Sequence, residues 1–371
     1  TSQMLTCMEE RLHQLDEKAN VTTFGQEINP FTMGIAVADT IIHGGDPDNM
    51  KFGDTLSEDQ FSGYKFDFCI SNPPFGIDWK REASVVEMEY KKGEAGRFAP
   101  GLPGKGDGQL LFMLNGLAKL KDGSGKMAII QNASSLFSGD AGSGPSEIRK
   151  YMIENDWLDA IVQLPADSFY NTGIATYIWI IDKGKPTRNP GEVLLIDAGT
   201  CSVSRRKSIG SKRVDITEIC RSLIVQAYGE YRTGEYSAKA EDGTEVVCRS
   251  RKLSSIDLGY RKITIETPVY KEDGTPEMKK GKRVPDTSRR DTEIIPLTRD
   301  ADEYLESEIS LFNPDAWVDH NKTKIGYEIP FSRQFYVYKK IRKAAEIARD
   351  LAEREYNLTR QLRELLGEAE E

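Results

Sequence analysis

Residues 1 to about 200 predict an α/β fold, a mainly parallel sheet with helices on both faces. Strand and helix signals alternate along this stretch, short apolar runs end in polar or acidic turn residues, and apolar residues recur at helical spacing. Met4, Leu5, Met8, Leu12 and Leu15 give a first helix of the kind that packs on a sheet. Residues 21–28 read as a strand carrying Glu27 at its end, followed by a helix from Pro30 to Ile42. Asn49 to Leu56 places a short strand before Gly53 and Asp54. The apolar run 66–70 then delivers Ser71-Asn72-Pro73-Pro74-Phe75 at the end of a buried strand.

The next segment, 78–106, is polar and rich in charge and glycine, and a loop of that length is expected to be functional or mobile. Asp107 caps a helix over 109–121 that stops near Gly123. Strands follow over 126–131, 157–164, 174–182 and 192–197. The glycine-rich segment 138–144 lacks the lysine of a phosphate-binding loop and reads as a flexible connection. Past residue 200 the pattern changes to short charged segments, so 1–200 is taken as the core, 201–332 as an extension and 333–371 as a helical tail. In the tail, Ile341, Ala344, Ala348, Leu351, Leu358, Leu362 and Leu365 alternate three- and four-residue steps, with Glu355 in the remaining seam position. Such a stripe needs a partner helix, or else docks on its own domain.

The composition, 371 residues with 38% hydrophobic and 29% charged, argues against wholesale disorder. No apolar run approaches the roughly 20 residues of a membrane span. Five widely spaced cysteines form no zinc pattern and suggest a reducing cytoplasm. With three histidines, a histidine-built metal site or triad is not expected, and no metal is assigned. The net charge of −9 means that this chain alone should hold nucleic acid weakly. Two basic stretches stand out, Arg205-Arg206-Lys207 with Lys212-Arg213, and Lys279-Lys280 with Lys282-Arg283, which are either solvated loops or phosphate contacts.

Chemistry concentrates at the strand ends. Two prolines fix φ and remove two backbone donors, so Asn72 Oδ1 and the Pro73 carbonyl are left as acceptors that can grip an amino group. Paired acceptors suit an exocyclic amine, whose lone pair is otherwise delocalised into its ring, and Phe75 can stack on an extruded base. Taken alone the same residues are a loop. Glu27, at a strand's carboxyl end, suits the hydroxyls of a ribose, or caps the next helix. Asp54 can accept from an adenine amino group, or serve as an N-cap.

The order of acid, Gly-Asp and Asn-Pro-Pro-Phe on successive strand ends resembles S-adenosylmethionine-dependent amino-methyltransferases, and more narrowly the modification subunit of type I restriction-modification systems. Supporting stretches include Phe24 to Pro30, Asp107 to Phe112, Phe137 to Gly144, Phe169 to Ile174, Asn313 to Trp317 and Gly326 to Phe331. The resemblance implies a Rossmann-like methyltransferase sheet, N-terminally truncated, with a C-terminal extension and a helical tail. It implies methyl transfer to N6 of adenine in double-stranded DNA, with a separate specificity subunit bound through the tail, a second modification subunit and a restriction subunit. Glu27 would bind the cofactor ribose, Ile28 would lie against its adenine, Asp54 would take the adenine amino group, and Asn72 would belong to the cofactor site as well as to the target-base site. Asn72, Pro73, Pro74 and Phe75 would hold the target base, and Phe169 and Tyr170 would wall its pocket unless they are core residues. Segment 78–106 would face DNA and order on substrate binding. The opening residues resemble the helix that follows the family's glycine-rich loop, so that loop is expected just upstream, with unpaired edges on the strands flanking its central strand. These residues alone are then expected to bind S-adenosylmethionine poorly. A non-catalytic assembly subunit and a methyltransferase for another amine or amide are the alternatives.

Overall fold

Two short strands, β1 (Gly25–Glu27) and β2 (Met50–Phe52), pair in parallel as a sheet of their own. The computed structural model describes residues 2–338 and 342–366. Its main sheet has seven strands: β3 (Phe68–Ser71), β4 (Lys126–Asn132), β5 (Leu158–Gln163), β6 (Thr176–Asp182) and β7 (Glu192–Asp197), then, past the hairpin β8 (Val203–Ile209) and β9 (Lys212–Asp215), β10 (Gly234–Lys239) and β11 (Glu245–Ser254). Their order is β10-β11-β7-β5-β6-β4-β3, so strands from both sides of residue 200 share the sheet. Only β3–β4 and β5–β7 are parallel among its ladders. The expectation of a mainly parallel sheet is thus corrected to a mixed one. No helix joins β5 to β6, and without a crossover the chain can only return antiparallel.

The helices are α1 (Gln3–Leu15), α2 (Pro30–Ile42), α3 (Ala83–Tyr90), α4 (Gln109–Ala118), the single turn α5 (Ser134–Phe137), α6 (Gly144–Glu154) and α7 (Glu218–Glu230), and the expected packing face of α1 is corrected, since none of its residues is buried and Leu15 is 70% exposed. Leu110, Leu111, Met113, Leu114 and Leu117 of α4 are all buried. On the far half, Leu223 and Ala227 of α7 pack with Ala160, Val162, Leu194, Ile196, Val246 and Cys248. Burying an Ile or Leu side chain contributes about 1.5–3 kcal/mol, so this cluster fixes 201–254 to the core.

Local pairing moved several boundaries. β1 is shorter than the expected strand over 21–28 because β2 offers only three partners. α4 stops before residue 121 because Phe66 captures the chain there: its N–H donates to Lys119 O and its carbonyl accepts from Lys121 N. Segment 78–106 is not the expected open loop, since it carries α3 and buries Trp79, Val86 and Phe98. Segment 138–144 is likewise no slack connection: a Cβ on Gly144 would fall 1.8 Å from the Leu102 carbonyl oxygen, and Gly101 faces Gly144 in return.

The rings of Phe24, Phe61, Tyr64 and Phe66 interlock where the chain enters β1 and β3, with Phe24 and Phe66 centroids 5.3 Å apart. Both strands keep one edge without a ladder partner among the described residues.

A second sheet is centred on β12 (Gly259–Glu266). The chain then forms a small hairpin, β13 (Met278–Lys279) and β14 (Lys282–Arg283), before β15 (Asp291–Pro296), β16 (Trp317–Val318) and β17 (Lys324–Tyr327) return antiparallel to β12. This sheet is latched to α6 by Arg149, fully buried, which donates to the carbonyls of Tyr327 (2.6 Å), Ser135 (3.1 Å) and Ser138 (2.8 Å). Desolvation pushes the Arg149 pKa down to about 10. Tyr327 N–H donates to Ser146 Oγ at 2.9 Å, completing the latch.

The described residues up to Gln334 form one compact unit and those from Phe335 a second. In the second, Ala344–Leu366 is one helix. Along it Leu351, Leu358, Leu362 and Leu365 are exposed, and the expected seam position Ile341 lies outside the described residues. No helix among the described residues is long and apolar enough to cross a membrane.

Arg149→Met leaves two buried carbonyls, of Tyr327 and Ser135, and the half-buried one of Ser138 without this donor and should cost at least about 2 kcal/mol, read as a lower urea midpoint; an unchanged midpoint would show the latch to be dispensable. Cys7 is exposed, whereas Cys201, Cys220 and Cys248 are buried, and burial raises the thiol pKa of Cys69 to about 11 and of Cys248 to about 12. At about pH 8 a disulfide reagent should therefore modify one thiol quickly and the others only on unfolding, which colorimetric counting of released thiolate will check.

Candidate active site

β1 ends at Glu27, and Asn29 then starts α2 by accepting from Phe31 N–H (2.9 Å) and Thr32 N–H (3.1 Å), with Pro30 at the first helical position. Glu27 Oε1 accepts from Asn29 N–H at 2.8 Å, so this acid supports the cap without being it. Its second oxygen has no donor among the described residues, and Ile28 beside it is 59% exposed. The parallel register sets Glu27 opposite Phe52, and Gly53 N–H donates to the Glu27 carbonyl at 3.1 Å. Gly53 has φ +148°, a region that side chains avoid, and it swings the chain into Asp54. Asp54 Oδ1 accepts from Leu56 N–H (3.0 Å) and Oδ2 from Ser57 Oγ–H (2.6 Å). No helix follows Asp54, so it is not an N-cap: these bonds close a turn over 54–57, and one lone pair on each oxygen stays open.

At the end of β3, Asn72 and Pro74 are exposed, Phe75 is half-buried and Pro73 is buried. Neither Asn72 Oδ1 nor the Pro73 carbonyl has a donor among the described residues. The turn is pinned downstream: Gly108 N–H donates to the Ile77 carbonyl (2.8 Å), and buried Trp79 donates its indole N–H to Gly104 O (3.1 Å). Below it, buried Gln109 donates to Asp107 Oδ2 (2.7 Å), Asn132 Oδ1 (2.9 Å) and Ser134 Oγ (2.6 Å), and accepts from Asn132 N–H (3.1 Å). That network joins the head of α4 to the end of β4.

Register places the third predicted group at the same end of the main sheet. Ser71 pairs with Ile129, Asn132 with Thr176 and Gln163 with Tyr177, so the 164–175 loop leaves from the end at which the Asn72 turn sits. Phe169 packs on the core, whereas Tyr170 is 61% exposed, so the paired assignment splits. Neither ring contacts Phe75 among the described residues.

Sequence reading missed Arg97. Its guanidinium makes a bidentate pair with Glu89 (2.8 and 2.7 Å) and donates to the carbonyls of Thr55 (2.7 Å) and Leu56 (3.1 Å) and to Asn115 Oδ1 (2.9 Å). It thereby ties the loop that carries Asp54 to the segment that follows Asn72. Beside it Asp59 accepts both contacts from Lys119 Nζ, at 2.7 and 2.6 Å. No local pattern could have singled out one arginine inside a charged glycine-rich stretch. Among the described residues no group of three or more His, Cys, Asp or Glu is placed to hold a metal.

Acids on the ends of the parallel β1–β2 pair and a polar proline turn on the end of β3 fit an α/β fold of the Rossmann-like methyltransferase class. The chain belongs to the N-6 DNA Methylase family, which residues 1–266 match. It is 28% identical over 224 residues to the type I restriction enzyme MjaIX methylase subunit of Methanocaldococcus jannaschii, covering 60% of this chain and 38% of that one. With the HindI methylase subunit of Haemophilus influenzae it shares 28% identity over 266 residues, covering 69% and 55%. The solved type I restriction-modification methyltransferase subunit of Streptococcus thermophilus is 27% identical, with a TM-score of 0.51, covering 64% of this chain and 46% of that one. The chain thus spans about half or less of the length of these proteins.

Burial raises the pKa of Glu89, but its bonds from Arg97 outweigh that and hold it below the usual 4.5. The pair's contribution is then fully present above that value and fades as pH falls through the lowered one. Arg97→Met, which strands a part-buried carboxylate, should cost about 3 kcal/mol near pH 7, and the cost should shrink as pH falls below 4.5. Denaturant midpoints across that range will check it, and a pH-independent cost would contradict the assignment.

Proposed function

We propose that this chain is the target-base part of a type I modification subunit, transferring a methyl group from S-adenosylmethionine to N6 of adenine in DNA. The observation that carries the reading is a pair of acceptors with no donor among the described residues, Oδ1 of exposed Asn72 and the carbonyl of buried Pro73, on a turn pinned downstream. Each would accept one N–H of the adenine amine. Gripped so, the nitrogen is drawn toward pyramidal geometry and its lone pair is freed from the ring. Phe75 would stack on the extruded base and Tyr170 would stand at the rim.

The residues present fit one side of a cofactor pocket. Glu27 keeps a free carboxylate oxygen for the ribose hydroxyls, exposed Ile28 offers an apolar surface to the adenine, and Asp54 can still accept from its amino group. S-adenosylmethionine, when bound, supplies a methyl group already activated on a sulfonium centre. Double-stranded DNA would be the substrate. A separate specificity subunit would choose the sequence and hold the exposed leucine stripe of Ala344–Leu366, with a second modification subunit and a restriction subunit completing the assembly.

In the native assembly, Asn72→Ala should lower methyl transfer to duplex DNA by at least about 100-fold and leave cofactor affinity within a few-fold. Filter-bound tritium counts and calorimetric titration give the two readouts. Near-normal turnover would overturn the reading.

A further inference from the structure

The β8–β9 hairpin is a basic element in an acidic chain. Between Val203 and Asp215 there are five cations, Arg205, Arg206, Lys207, Lys212 and Arg213, and one acid, Asp215, while the whole chain carries −9. Asp215 is already claimed. It accepts from Arg205 at 2.6 Å through both oxygens and lies 3.1 Å from Lys212, and the Arg205 bond leads in holding its pKa below the usual carboxylate range. Arg206, Lys207 and Arg213 are exposed and have no acidic partner among the described residues.

The hairpin is also seated on one particular loop. Ser211 N–H donates to the Tyr170 carbonyl (2.8 Å) and Arg213 N–H to the Asp167 carbonyl (2.9 Å). Gly210, at φ +58°, comes so close that a Cβ there would stand 2.3 Å from the Tyr170 carbonyl oxygen, and the Lys212 ammonium lies 5.2 Å from the Tyr170 ring centre. The 167–173 loop is closed by Asp167 N–H to the Gly173 carbonyl, and Asp167 Oδ1 lies against Gly173, with no ion pair to a cation of the hairpin among the described residues. Two arginines and a lysine without counter-ions are thus held on the loop whose exposed ring stands at the target-base end of the sheet. No acid is paired with them among the described residues, and the backbone bonds of Ser211 and Arg213 seat the hairpin that carries them.

We infer that Arg206, Lys207 and Arg213 form a phosphate-binding arm for the DNA strand that flanks the extruded base. The inference rests on the proposed DNA methyltransferase reading. It accounts for how an acidic chain meets a polyanion, by presenting unpaired positive charge on an arm seated on the Tyr170 loop. The other basic hairpin, β13–β14, sits instead against Asp315, with Arg283 donating to the Asp315 carbonyl at 2.7 Å.

The test is the salt dependence of duplex binding by the native assembly, followed by fluorescence anisotropy, with methyl transfer measured in parallel. Each phosphate contact contributes about 0.9 to the slope of log K against log salt, so the triple variant Arg206→Ala, Lys207→Ala, Arg213→Ala should flatten that slope by about 2.7. The charge-keeping variant Arg206→Lys, Lys207→Arg, Arg213→Lys should retain it, and Lys279→Ala, Lys280→Ala, Lys282→Ala should leave it unchanged. An unchanged slope in the first variant, or an equal drop in the last, overturns the arm while leaving methyl transfer by the unmodified assembly to stand. If that assembly neither binds nor methylates duplex DNA, the functional reading fails and the arm with it.

Discussion

Pairing register is the constraint on which the remaining geometry depends. Ser71 opposite Ile129, Asn132 opposite Thr176 and Gln163 opposite Tyr177 bring the Asn72 turn, the Gln109 network and the Tyr170 loop to one end of the main sheet. Because side chains alternate with period two, a one-residue slip in β4 would turn its buried Met127 and Ile129 outward and carry Asn132 away from Gln109. A site assembled from three separate turns therefore inherits its accuracy from apolar packing well behind it.

Much of this was legible in the sequence, for reasons that differ by element. Helix α2 is found where expected because its signals are local: an Asn cap, a proline at the first position and an apolar run behind them. Strand β7 is equally plain, being short, apolar and bounded. Direction was not legible. Whether β6 runs with or against β4 depends on how the chain returns, and apolar spacing is the same either way. Segment 78–106 was misread because its order comes from distant partners: Trp79 reaches Gly104, and Arg97 reaches Thr55, Leu56 and Asn115. Charge and glycine suggest a loop until those partners are known.

For the candidate site, residue types were readable and their surroundings were not. Glu27 and Asp54 could be singled out, but each serves local backbone bonds as well as keeping capacity for a ligand. Phe169 and Tyr170 form one motif on paper, yet one ring turns into the α7 cluster and the other faces solvent. Exposure, not identity, separates them.

The Arg149 latch carries a kinetic consequence. Its donors sit on α6, and one acceptor, the Tyr327 carbonyl, lies 178 residues along the chain. Such a bond cannot help early collapse, because the intervening β6, β7, β10 and β11 must first find their places and the loop entropy must already have been lost. The second sheet should then be the last large piece to consolidate, and refolding should end with the slow closing of this long-range contact.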